Sequence, residues 1–362
     1  MRRLFALALM LAAPMLAGWP MAARAADKGP CTQAAQVCTE WVSLGDGGAR
    51  ALIYRTYPLK TRNAGIRRAL IMVHGTGRNA DHYFSTATGA AFLAGALGDT
   101  LVISPAFHSA DRNCADKLAE HEVSWSCNGD SWRSGGNATS DPQLSSFDFI
   151  DQVLKALADK HVFPNLKAIV VAGHSAGGQF VSRYEMASRV HDSLGVPVTY
   201  VVANPSSYAW PDATRALAEG DAAPENAVLG WKEEKPHTAF SYGPFDAAAV
   251  PAYDRWPYGL EARAGGYTAK TGDAQLKAQL VARPTTYLLS QVDTLPLGGF
   301  DSSPQAMAQG ATRRARGEAF VNYLNTRLGG HAQVLIIPEC GHNDRCVYTT
   351  EAVLPVIFPA TP

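Results

Sequence analysis

The sequence predicts an α/β fold: a mostly parallel central sheet with helices on both faces and an inserted lid. Three observations carry that prediction. Short, unbroken apolar runs alternate with helical apolar spacing along most of the chain. Strands read this way when crossover helices cover both faces of a parallel sheet and leave no face wet. Residues 169–180, IVVAGHSAGGQF, end a β-run on glycine, turn over one serine and restart on glycines. Residues 205–283 break the rhythm with aromatics and prolines that show no clean periodicity.

Composition bounds the rest. The chain has 362 residues, 47% hydrophobic and 18% charged, enough for a substantial core. Thirty-two basic and 32 acidic residues balance to a formal charge of +0, so no global field recruits nucleic acid or an anionic membrane. The N-terminus, MRRLFALALMLAAPMLAGWPMAARA, has a cationic start at Arg2 and Arg3, an apolar stretch broken by Pro14, and small residues at Ala23 and Ala25. This is the pattern of a signal peptide over residues 1–25, too short an apolar run to span ~30 Å of hydrocarbon. The expected mature domain is 26–362, exported to the periplasm or beyond, with no stable membrane span after cleavage.

Export makes the cysteines interpretable, because disulfides persist in oxidising compartments. Six cysteines allow about 15 connectivities, and the sequence presents them as three local pairs: Cys31 with Cys38, Cys114 with Cys127, Cys340 with Cys346. Local pairing is the expectation, each closure stabilising by roughly 2–3 kcal/mol in the loop-entropy picture. A metal clip in CGHNDRC is disfavoured, because no second paired cluster supplies the usual ligands.

Taken in order, residues 39–45 and 51–57 read as a hairpin across GDGG. ALIMVH (69–74) is a buried strand, AAFLAGAL (90–97) a short helix, TLVISP (100–105) a second buried strand, and 147–160 an amphipathic helix. The polar, glycine-rich stretch 106–146 reads as a long loop tied by Cys114 and Cys127. KAIVVAG (167–173) is a strand, a helix runs from about Ser175 to Val190, and VTYVVAN (198–204) is the next strand. PTTYLLS (284–290), the helix 311–328 and QVLIIP (333–338) complete the alternation. Long irregular insertions in a compact domain are commonly lids, and the Trp and Tyr content of 205–283 favours a packed one.

A serine at the sharpest bend of a strand-to-helix turn has a chemical reading. A hydroxyl attacks a carbonyl only if a base takes its proton and its oxygen stands clear of the backbone. Small neighbours at Gly173, Ala176 and Gly177 permit such a turn around Ser175, and the helix that starts there brings free N–H groups and a positive dipole end. Gly173-His174-Ser175-Ala176-Gly177 matches the nucleophile elbow G-x-S-x-G in its strand–turn–helix setting. On these residues the chain resembles the α/β-hydrolase superfamily, in its secreted serine-esterase branch, over roughly residues 51–350.

The resemblance implies the remaining parts. The loop VHGTGRNA (73–80) follows an early strand, where the superfamily draws one oxyanion donor. This nominates the N–H of Thr76, with Gly75 or Gly77 one step of register away, beside the N–H of Ala176. His74 reads as a structural brace. The triad partners follow in the order acid, then histidine: Asp293, just past the strand PTTYLLS, with Asp301 as its rival, then His342 in Gly341-His342-Asn343. His331 precedes its strand and belongs to the opposite end of the sheet. Cys340 and Cys346, if bridged, clamp the loop around His342.

The function expected from these residues is hydrolysis of carboxylic esters, small or polymeric, through an acyl-enzyme on Ser175, with no cofactor and no metal. Two alternatives stay open: a serine peptidase or amidase on the same scaffold, and a non-catalytic binding protein with a hydrolase-like fold. For substrate contacts, Trp132 and Arg133 in the cysteine-tied loop and Tyr208 in the insertion are candidates, with Trp210, Trp256 and Tyr258 as further aromatic wall. Asn137-Ala138-Thr139 matches a glycan acceptor pattern.

Overall fold

Apolar runs with no polar alternation place the sheet at the centre of the molecule. The computed structural model describes residues 29–217, 240–263 and 266–361. The expected leader at 1–25 and the stretch WKEEKPH at 231–237 lie outside the described residues.

β1 (Thr39–Leu44) and β2 (Ala49–Arg55) form the antiparallel hairpin read across GDGG. β3 (Arg68–Val73), β4 (Thr100–Pro105), β5 (Ala168–His174) and β6 (Val198–Ala203) follow, with every residue of β4 buried. β7 (Thr214–Leu217) and β8 (Ser241–Pro244) pair apart as a small antiparallel sheet, and β9 (Thr285–Ser290) and β10 (Gln333–Ile337) return to the main one. The main sheet has eight strands in the order β1-β2-β4-β3-β5-β6-β9-β10. It is parallel from β4 to β10, with β2 antiparallel to both its neighbours.

Helices α1 (Ala80–Leu93), α2 (Ser146–Ala158), α3 (Ala176–Ala187) and α4 (Asp273–Ala282) alternate with these strands. The short α5 (Pro304–Met307), then α6 (Arg313–Arg327), α7 (Asp344–Thr349) and the short α8 (Leu354–Ile357) follow. Successive strand residues supply opposite layers, as the two-residue period requires. Ile71, Val73, Ile169 and Val171 join a core with Val153 of α2, Phe180 of α3 and Phe320 of α6. Leu70, Met72, Val170 and Ala172 join the other with Phe84 of α1, Val347 of α7 and Ile357 of α8. Each such fully buried aliphatic side chain contributes about 1.5–3 kcal/mol of transfer free energy, which is why the strand pattern is legible.

Local signals set the helix ends. At α2 the Ser145 side chain accepts from the Asp148 N–H while Asp148 accepts from the Ser145 N–H, a reciprocal cap. The first helix departs from expectation: the helix read at 90–97 runs instead from Ala80 to Leu93. Gly95, at φ +64°, ends it. Its buried stripe of Tyr83, Phe84, Ala87, Ala90 and Ala91 is interleaved with Thr and Ser, which masked the helical period.

All three local cysteine pairs are closed, with Cα–Cα distances of 5.5 Å for Cys31–Cys38, 6.0 Å for Cys114–Cys127 and 5.8 Å for Cys340–Cys346. The second anchors the stretch 106–146, which is more ordered than a loop: a 3-10 turn spans Asn128–Ser134, and Trp125 and Trp132 are buried in the core. The stretch 205–283 also divides. Its last part is α4, which buries Leu276 and Leu280 and leads into β9. Its first part docks through Trp210, whose ring packs 5.0 Å from Tyr323 and 5.6 Å from Phe320 of α6. Among the described residues no helix is long and apolar enough to cross a membrane.

Candidate active site

Ser175 links β5 to α3 at φ +60° and ψ −121°, a conformation rarely tolerated outside glycine and confined to sites that over-determine it. The surrounding glycines make it feasible. A Cβ at Gly173 would collide with the Gly177 carbonyl, and one at Gly177 with the Val73 carbonyl, so strand and helix approach only where side chains are absent. The hydroxyl is thereby held at the C-terminal edge of the sheet, where parallel strands end together.

The loops after β9 and β10 end at that same edge. Gln291 N–H donates to the Ile337 carbonyl and Val292 N–H to the Cys340 carbonyl, which fastens the two loops side by side. They carry Asp293 and His342. The Ser175 hydroxyl donates to His342 Nε2 across 2.8 Å, and His342 Nδ1–H donates to Asp293 Oδ2 across 2.7 Å. Asp293 is 2% exposed. Asp301 instead accepts from the Tyr258 hydroxyl at 2.9 Å and from the Ser303 N–H at 3.0 Å. His331 is exposed ahead of β10.

The loop that carries His342 is fixed twice more. The Cys340–Cys346 bridge spans His342, and Asp344, inside that bridge, accepts from Thr86 of α1 at 2.8 Å and pairs with His82 at 3.0 Å. One face of the imidazole lies on His174, with ring centroids 4.6 Å apart. His174 is fully buried; desolvation first, then the charges of His342 and Arg313, hold its pKa well below the ordinary value, so it stays neutral.

The loop after β3 lies beside the serine: a Cβ on Gly75 would stand 3.6 Å from the Ser175 Cβ and 2.8 Å from the Tyr83 hydroxyl. Thr76 follows Gly75. Ala176 opens α3, and the first N–H groups of a helix have no intrahelical acceptor. His74 braces this loop: its Nδ1–H donates to the Gly75 carbonyl at 2.9 Å and its Nε2 accepts from the Phe107 N–H at 3.2 Å. Desolvation pushes its pKa down to about 3, so the imidazole is neutral and both contacts persist at any ordinary pH.

The substrate-contact expectations for Trp132 and Tyr208 need correction. Trp132 is fully buried beneath the site, its ring 4.8 Å from Phe107 and 4.9 Å from His74, so it supports the Gly75–Thr76 loop from below. Tyr208 is also fully buried, stacked 4.5 Å from Phe320. A side chain with no exposed surface cannot line a substrate pocket. Arg133 is half-buried, and its carbonyl accepts from Arg183 at 3.2 Å. Trp256 and Tyr258 line an open cavity of about 330 Å³ with Ala252, Arg255, Ala262 and Gln305. None of Ser175, His342 and Asp293 borders it.

One residue escaped sequence reasoning. Arg313, at the first position of α6, is buried and donates from Nη1 to Asp293 Oδ1 at 3.2 Å. A signal was available: Arg313, Arg314 and Arg316 crowd the positive end of a helix dipole, where cations are disfavoured unless something else holds them.

Comparison with known proteins agrees with this architecture. The chain matches a family model described as "Alpha/beta hydrolase family" over residues 70–354. Among solved structures it is similar to LpqC, a poly(3-hydroxybutyrate) depolymerase from Bordetella parapertussis: TM-score 0.57, 20% identity, 88% of this chain and 87% of that one covered. It is similar as well to poly(aspartic acid) hydrolase-1 from Sphingomonas sp. KT-1, at TM-score 0.56 and 22% identity over 88% of this chain and 98% of that one. No curated protein matches the sequence. With the family model spanning most of the chain, and strand order, elbow and loop placement all in accord, this protein belongs to the alpha/beta hydrolase family.

Proposed function

We propose that the protein is an exported serine hydrolase that cleaves carboxylic esters through Ser175, His342 and Asp293. The observation that carries this reading is the unbroken hydrogen-bonded path from the Ser175 hydroxyl through His342 to Asp293, at 2.8 and 2.7 Å. His342 Nε2 accepts the hydroxyl proton as Ser175 Oγ attacks the ester carbonyl; Asp293 holds the Nδ1–H tautomer and stabilises the imidazolium. The N–H groups of Thr76 and Ala176 serve the oxyanion, a donor of this kind being worth ~2.7–4 kcal/mol. The alcohol leaves with the proton from His342, and water repeats the cycle to release the acid. No step calls on a cofactor. Export is supported by the N-terminal pattern and the three closed disulfides.

An ester polymer or oligomer is a reasonable substrate class, given that the similar LpqC structure is titled a poly(3-hydroxybutyrate) depolymerase. The test is fluorophosphonate labelling of the mature protein with peptide mapping, followed by matched ester and amide panels. Stoichiometric label on Ser175 with alcohol release is expected. Amine release in preference to alcohol would reassign the protein as an amidase, and an unlabelled serine would leave a binding protein.

A further inference from the structure

The guanidinium of Arg313 has five N–H donors in a fixed fork, and four are committed within a sphere that includes the triad acid. Nε donates to Ser206 Oγ at 2.7 Å, Nη1 to Asp293 Oδ1 at 3.2 Å, and Nη2 to the carbonyls of Leu297 at 2.7 Å and Gly298 at 2.9 Å. The side chain is 0% exposed. The two oxygens of Asp293 are therefore divided, Oδ1 to Arg313 and Oδ2 to His342. That division fixes the plane of the carboxylate. The same arginine fixes the chain behind the base: at Gly298, with φ +57°, a Cβ would come within 3.0 Å of His342 Cδ2, so this backbone backs the edge of the imidazole. At Gly299, with φ +70°, a Cβ would come within 3.0 Å of Thr76 Cγ2, which brings the same loop to the oxyanion side.

We infer that Arg313 is a positioning residue that locks Asp293 and the Leu297–Gly298 backbone into one rigid unit, setting the orientation of His342. The inference rests on the serine-hydrolase reading above. Burying a guanidinium is costly unless its donors are met, and here they are met by the acid, the loop that touches the base and the Ser206 hydroxyl. The other groups facing the pair are His174 on β5, kept neutral by burial, the Ser175 hydroxyl, and the Tyr208 hydroxyl of the insertion, which lies in the field of Asp293. Arg316 is directed to the Ser206, Gly310 and Asp301 carbonyls and away from the acid.

The experiment compares the full mature chain with Arg313→Gln, Arg313→Lys, Asp293→Asn and the double variant Asp293→Asn/Arg313→Gln, each checked for folding by circular dichroism. Arg313→Gln is expected to lower kcat on the order of 10²-fold with KM little changed. Arg313→Lys keeps the charge and loses the fork, so kcat falls here too. In the Asp293→Asn background the same Gln substitution should cost only a few-fold, because its effect passes through the acid. A folded Arg313→Gln with wild-type kcat, or with an equal cost in both backgrounds, overturns the inference. If Arg313→Gln does not fold, Arg313→Lys decides: a lowered kcat at constant KM supports positioning, and wild-type kcat refutes it. Fluorophosphonate labelling of the wild type separates the two levels, since failure to label removes the hydrolase reading itself, whereas a labelled enzyme indifferent to Arg313 removes only this inference.

Discussion

The sheet edge and the aromatic insertion are built on opposite logic. At the edge, each of the three candidate side chains sits on a short loop whose backbone is pinned within a residue or two: Ser175 by its glycines, Asp293 by bonds between the β9 and β10 loops, His342 by a disulfide around it. In the insertion, the residues with the most suggestive chemistry, Tyr208 and Trp210, are buried as anchors against α6. Polar groups gathered at converging strand ends mark the candidate site in this molecule. Aromatic density marks where a segment is fastened to the body.

That contrast can be broken at its strongest point first. Ser175→Ala should reduce turnover by roughly 10⁵-fold or more while circular dichroism and the thermal midpoint stay near those of the wild type. Substantial residual activity would place the nucleophile elsewhere. Next, Asp293→Asn should lower kcat by about 10⁴-fold, as expected when an acid holds a tautomer, whereas Asp301→Asn, removed from the imidazole, should leave steady-state kinetics nearly intact. A reversal of those two results would return the acid to Asp301 and detach function from the geometry.

The buried-aromatic side of the comparison, which Trp132 of the 106–146 stretch shares with Tyr208 of the insertion, is sharpened first by stability. Trp132→Ala, which empties the space under His74 and beside Phe107, should cost about 3–5 kcal/mol in chemical denaturation. Tyr208→Phe should leave KM unchanged; a rise in KM would mean that this ring meets substrate after all. The smallest expected effect is a pH dependence. Tyr267 of the insertion donates to Asp151 Oδ2 at 2.8 Å, and Tyr184 donates to Oδ1 at 2.6 Å. Desolvation raises the Asp151 pKa to about 6, above an unfolded value near 3.8, so the folded state keeps the proton longer. The stability from that proton is fully present below about pH 4 and is lost as pH rises through about 6. Subtracting the Asp151→Asn melting profile from that of the wild type should isolate a decline across this window. A flat difference would show that the two tyrosines offset the burial.

Much of this was legible in the chain, for reasons that differ by element. Interior strands such as β3, β4 and β5 announce themselves because burial on both faces removes polar residues from the run. The elbow announces itself because collisions with the Gly177 and Val73 carbonyls forbid side chains at Gly173 and Gly177. The first helix was misplaced because small hydroxyl residues pack on its buried side as well as apolar ones do. Trp132 was read as a substrate contact because its loop is polar in composition, although the loop's disulfide and 3-10 turn carry the ring inward.

By itself the sequence determined the α/β alternation, the hydroxyl at the turn, the chain order of Ser175, Asp293 and His342, and the three local cysteine pairs. These are local properties: periodicity, turn sterics and short loop closure act over a few residues. Which aspartate meets His342, which aromatics are exposed, and that buried Arg313 bonds Asp293 were settled by tertiary structure alone. Those outcomes depend on side chains far apart in the chain, Arg313 with Asp293 and Asp293 with His342, being brought within hydrogen-bond distance by strands that end at one edge. Hydrogen bonds of that length are decided by packing across the whole sheet, and no local pattern encodes them.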